Sequence, residues 1–118
     1  MNVDKHKELK NRTKAFALRI VRMSQVLPRT REANVINDQI LRSATGMAAN
    51  YRSAGRSRSK AEFIAKIGVV IEEADETAFW LELLSDSGIV HPKKLEALSG
   101  EANQLVAIFT PSRGTAKG

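Results

Sequence analysis

The chain has 118 residues, a net charge of +6 and no cysteine. One domain accounts for that length, and the missing thiols exclude disulfide scaffolds, thiolate zinc sites, iron–sulfur clusters and cysteine nucleophiles. No apolar run nears the roughly 20 residues of a membrane helix, and Met1 to Lys14 is too polar for a secretory leader, so a reducing cytoplasm fits the composition.

Four segments carry helical periodicity. The first is expected from about Asp4 to Leu27. Leu9, Thr13, Phe16, Ile20, Met23 and Leu27 step by three and four, one face of a helix. Lys5, Arg12 and Arg19 lie seven apart and form a second stripe, with Arg22 beside it. Pro28 biases the residue before it away from helical angles and is expected to stop the helix.

A second helix is expected from Arg31 to Arg52, with Thr30 as N-cap. Ile36, Ile40, Ala44, Met47 and Tyr51 form its apolar face. Ser43, Gly46, Ala49 and Asn50 are small and allow another helix to come close, with Asn50 expected as a satisfied amide within the bundle. The connector from Ser53 to Ser59 alternates Ser and Arg, and its Gly55 reads as a helix C-cap. Ser59 and Glu62 then read as a capping box.

The third helix is expected from Lys60 to Ser87. Phe63, Ile67, Val70, Ala74, Thr77, Leu81 and Leu84 mark its core face, and Glu62 to Lys66 is a favourable i,i+4 pair. Phe79, Trp80 and Leu83 add apolar bulk outside that face. A helix apolar most of the way round is covered on more than one side, and in a chain this short another subunit could supply the cover. Gly88 ends the segment. His91 and Pro92 introduce a fourth helix with core positions Leu95, Leu98, Ala102, Leu105 and Phe109. Pro111 is expected to end it. The reading is therefore all-α: an antiparallel up-and-down four-helix bundle over residues 1–110, with a flexible tail over 111–118.

Catalytic and metal chemistry find little support. A di-iron site in a bundle needs Glu-x-x-His on two helices, and neither His6 nor His91 has Glu three residues before it. Without such ligands the acidic run Glu72, Glu73, Asp75 and Glu76 reads as a solvated or inter-subunit face. No nucleophile elbow or phosphate-binding loop is present. The expectation is a non-enzymatic protein with no cofactor and no metal.

Charge distribution carries the strongest signal. Residues 1–60 hold a net +10 and residues 61–118 a net −4. That asymmetry suits an anionic partner for the first half, or subunits that attract each other through opposite faces. Lys5, Arg12, Arg19, Arg22, Arg42, Arg52, Arg56 and Arg58 are the candidate contacts to RNA or DNA. Arg favours phosphate through its planar fork. With no helix-turn-helix signature and one Tyr, backbone contacts with weak sequence preference are expected. Glu72, Glu76, Phe79, Trp80 and Leu83 are the candidate oligomer interface.

Several of these pieces occur together in one known family. They are Gln39-Ile40-Leu41-Arg42-Ser43-Ala44, Ala48-Ala49-Asn50-Tyr51-Arg52, the stretch from Gly55 to Phe63, the acidic run at 72–76, and Phe79-Trp80-Leu81-Glu82-Leu83-Leu84. In order and spacing they resemble the four-helix-bundle family of bacterial 23S rRNA intervening-sequence proteins, which also includes accessory proteins of diversity-generating retroelements. The resemblance covers about residues 8–110. Many relatives have Ala-Glu-Gly after the Ala-Asn pair, where this chain has Arg52-Ser53-Ala54-Gly55. The resemblance implies a barrel-shaped homopentamer and a nucleic-acid role, with a reverse transcriptase as a possible protein partner. It transfers no settled activity.

Overall fold

The computed structural model describes the backbone of residues 3–117 and the side chains of residues 4–110. Four helices follow in order: α1 (Val3–Ser24), α2 (Arg31–Ala54), α3 (Lys60–Asp86) and α4 (Pro92–Lys117). No strand occurs among the described residues. Short connectors turn each helix back on its predecessor, giving a rod of 44 × 21 × 21 Å. Each helix packs chiefly on its sequence neighbours, and α1 and α4 touch least.

The periodic apolar positions form the core. Phe16, Ile20, Ile40, Met47, Tyr51, Ile67, Leu81, Leu84, Leu105 and Phe109 are all fully buried. Burying a side chain of this size contributes about 1.5–3 kcal/mol, so this core supplies the main force holding the four helices together. Three polar side chains are also buried, Thr13, Ser43 and Thr77. Each has a partner. Thr13 donates to the Lys10 carbonyl at 3.0 Å. Thr77 donates to Ser43 Oγ at 2.8 Å across the α2–α3 seam, and Ser43 donates to the Ile40 carbonyl at 3.3 Å. Buried hydroxyls without such bonds would each destabilise the core by about 1–3 kcal/mol.

The helix ends refine the expected boundaries. α1 stops at Ser24, three residues before the expected Leu27. The N–H groups of Val26 and Leu27 bond three residues back, to Met23 and Ser24 at 3.1 and 3.4 Å. That tightened turn unwinds the helix before Pro28 is reached. Thr30 caps α2 by accepting from the Ala33 N–H at 3.2 Å. Ser59 caps α3 by accepting from Glu62 N–H at 3.0 Å. The Glu62 carboxylate pairs with Lys66 Nζ at 3.3 Å. Gly88 follows α3 with φ of 78°, the left-handed region, where any other L-residue costs roughly 1–2 kcal/mol. Its N–H donates to Ser85 O at 3.1 Å, closing the helix.

Gly55 is the C-cap of α2, as expected, although its φ of −65° lies outside the left-handed region. Its lack of a side chain also serves space: a Cβ there would overlap the imidazole of His6. One expectation is corrected. The fourth helix passes Pro111 and continues to Lys117. Proline deprives the carbonyl four residues earlier of its donor. Here that carbonyl belongs to Ala107, an exposed position where solvent can take the bond. The tail expected over 111–118 lies outside the described side chains.

Candidate nucleic-acid interface

The Lys5–Arg12–Arg19 stripe runs along the flank of α1 that turns toward α4. Arg12 lays its fork across Glu101, with Nε and Nη2 at 2.8 and 2.7 Å from the two carboxylate oxygens. Nη2 also donates to Gln104 at 2.8 Å. The hydrogen bond from Arg12 holds the Glu101 carboxyl below the usual carboxylate range, against the opposing effect of burial, and the charge of Arg19 adds to it. Arg12 is thus engaged within the subunit, and Arg19 and Arg22 are exposed beyond it.

Arg42 is engaged as well. It contacts Glu73 at 3.5 Å and Glu76 more closely. Glu76 also accepts from the Trp80 indole N–H at 3.3 Å. The Glu73 carboxylate lies against Gly46, where an added Cβ would stand 3.3 Å from it. Burial there pushes the Glu73 carboxyl up, with Arg42 opposing the shift. Small residues on α2 therefore seat a charged α3 side chain as well as admitting the helix. Asn50 donates to the Gly46 carbonyl at 2.8 Å, a half-buried amide satisfied within its own helix.

Three candidates remain together at one end of the rod. Arg52, Arg56 and Arg58 are exposed and form no ion pair among the described residues. α1 adds cations that sequence reading passed over. His6 stacks on Tyr51 and covers Gly55, which fixes the flank of α1 facing α2. At 100° per residue, Lys7, Lys10 and Lys14 lie along that flank or at its outer edge. By the same spacing Arg52, three residues before Gly55, belongs to the α1-facing flank of α2. Lys7 and Lys14 are exposed and Lys10 half-buried, and none has an ion-pair partner among the described residues. One signal could have found this face. Residues 9–31 and 39–61 contain no Asp or Glu at all.

The candidate interface residues divide. Glu76 accepts from both Arg42 and Trp80 inside the subunit. Phe79 is 50% exposed and meets Trp80 edge-on at 4.9 Å. Leu83 is half-buried and Glu72 exposed. Phe79 lines a groove of about 540 Å³ with Asp75, Glu82 and Asp86 from α3 and Ser99 and Asn103 from α4. Among the described residues no group of three or more His, Cys, Asp or Glu is placed to hold a metal, and no helix is long and apolar enough to cross a membrane.

The fold and its cationic flank define a class: a small antiparallel helical bundle with one cation-rich side. Residues 5–110 match the family model described as 23S rRNA-intervening sequence protein, and the chain belongs to that family. It is also similar to a solved structure, a protein of unknown function from the S23 ribosomal protein family of Bacteroides thetaiotaomicron. The two share 31% sequence identity over 93% of this chain and 98% of the other, with a TM-score of 0.85. No curated protein matches the chain.

Proposed function

We propose that the protein is a non-enzymatic bundle that binds the phosphate backbone of RNA or DNA through the α1–α2 flank. One observation carries the reading: Lys7, Lys14, Arg52, Arg56 and Arg58 are exposed cations, unpaired among the described residues, and all but Lys7 lie in the stretches 9–31 and 39–61, which hold no acid. Ammonium and guanidinium groups in such a row neutralise successive phosphates and release counterions. No set of side chains there is arranged to read base edges, so the contact is expected to tolerate sequence.

A second reading rests on the opposite side. The α3–α4 groove combines three carboxylates with the half-exposed Phe79. An acidic groove with an aromatic anchor suits the cationic flank of another copy, or a basic protein such as a reverse transcriptase. Assembly into a homopentamer belongs to this reading.

Fluorescence anisotropy with duplex DNA and structured RNA decides between them. Binding that weakens by about tenfold or more between 50 and 200 mM salt is the expected result, since several phosphate contacts give a steep slope. Absence of binding at 50 mM salt would overturn the first reading and leave the protein as an assembling or adaptor subunit.

A further inference from the structure

His6 occupies an unusual seat at the cationic end of the rod. Its ring stacks on Tyr51 with centroids 5.0 Å apart and planes at 29°. Tyr51 in turn meets Phe109 at 5.1 Å. This row of rings ties the first turns of α1 to the last turns of α2 and α4. Gly55 supplies the floor, and only glycine leaves room for the imidazole. The ring nitrogen Nδ1 is buried with no hydrogen-bond partner among the described residues.

The surroundings suit a neutral imidazole. Burial and the positive charge of Lys10 both disfavour the imidazolium. Among the described residues, the groups packed against the ring offer it no countercharge. α2 presents Tyr51, whose hydroxyl is pushed up to about 12 by burial and stays neutral. α4 presents Phe109 behind Tyr51, and the connector presents Gly55, followed by the exposed Arg56. Among the described residues, no carboxylate acts on His6.

We infer that His6 is an acid-released latch: the neutral ring docks the first turns of α1 on Tyr51 and Gly55, and protonation expels it while the rest of the bundle stays folded. The direction follows from linkage. The docked ring holds its proton more weakly than a free one, so docking is complete above the ordinary value of 6.5 and is lost as pH falls below it through the lowered value. The release frees Lys7 and Lys10 from their place on the flank of α1 that faces α2. The device is independent of whether that face binds nucleic acid.

The chain has 2 histidines, which makes an NMR titration from pH 8 to pH 4.5 direct. His91 lies apart, exposed ahead of α4. The expected result is a His6 midpoint below 6.5. Amide-exchange protection at Lys7 to Lys10, the first amides with partners inside α1, should vanish with the same midpoint. Protection at Ile67 to Val70 should persist. His6→Phe keeps a ring in the seat without a proton to gain and should hold the first turns at every pH. Gly55→Ala should leave them unprotected even at pH 8. A His6 midpoint at or above 6.5, protection that survives the titration, or an unchanged pH response in His6→Phe would each overturn the latch. Because His6→Phe and the native titration suffice, the test stands even if Gly55→Ala does not fold.

Discussion

Phe109→Ala is expected to lower the unfolding free energy by about 3–5 kcal/mol, the range for removing a buried aromatic ring from a packed core. The ring is fully buried, and its tilted contact with Tyr51 is what closes the end of the core between α2 and α4. Tyr51 is held between Phe109 and His6 and cannot follow the cavity inward without leaving the imidazole. Small domains have total stabilities of about 5–15 kcal/mol, so the loss is a large share. Urea unfolding checks it, as a lower midpoint at an unchanged slope. Leu18→Ala, at a position 44% exposed, provides the contrast and should shift stability by less than about 0.5 kcal/mol. A loss under about 1 kcal/mol in Phe109→Ala would mean that the end layer collapses freely around the gap.

Joint reversal of Lys7, Lys14, Arg52 and Arg56 to Glu is expected to weaken nucleic-acid binding by roughly 100- to 1,000-fold and to make the salt slope shallower by about 3–4 units. None of the four makes an ion pair among the described residues, so the circular dichroism spectrum should be retained. Arg42→Glu is the informative control. It sets a third carboxylate beside Glu73 and Glu76, which strains the α2–α3 seam within the subunit and leaves the salt slope alone. Anisotropy at several salt concentrations measures both variants. Full binding by the fourfold variant would remove the α1–α2 flank as the contact surface. A loss of binding in Arg42→Glu equal to that in the fourfold variant would show that an intact α2–α3 seam matters more than the local charge.

Much of the fold was legible because burial follows helical period. Every core position assigned on α2 and α4 is buried, and on α3 all but Phe63, which is half-buried against the core. Thr30 and Ser59 announce their helices through side-chain chemistry that acts over three residues, so local sequence suffices. The site was less legible, and the reason is geometric. A seven-residue spacing aligns Lys5, Arg12 and Arg19 on one line of α1. It does not say whether that line meets water or a neighbouring helix, which depends on how four helices are arranged around the core. Glu101, which takes Arg12, is 89 residues away in sequence. Arg42 looked like a surface cation for the same reason, although its carboxylates lie on α3. Gly55 was read correctly as the cap of α2, but the space it leaves for a histidine of another helix was not legible in the local sequence. The acid-free runs were visible throughout and pointed to Lys10 and Lys14 more directly than the arginine stripe did, whereas Lys7 lies outside them, between Asp4 and Glu8.

The thin α1–α4 seam bears on the order in which the chain assembles. Loop-closure entropy grows with the length of chain enclosed, and the three connectors between successive helices enclose little. Joining α1 to α4 instead brings Arg12 and Glu101 together across 89 residues, for less contact, among the described residues, than α1 makes with α2 or α4 with α3. Non-local contacts of this kind carry the highest entropic cost before they return any stabilisation. The seam should therefore be the last feature to form during refolding and the first to part in the native state. Pulsed hydrogen exchange reads that order directly, as protection on the α4 flank of α1 that lags protection in the middle of α2 and α3.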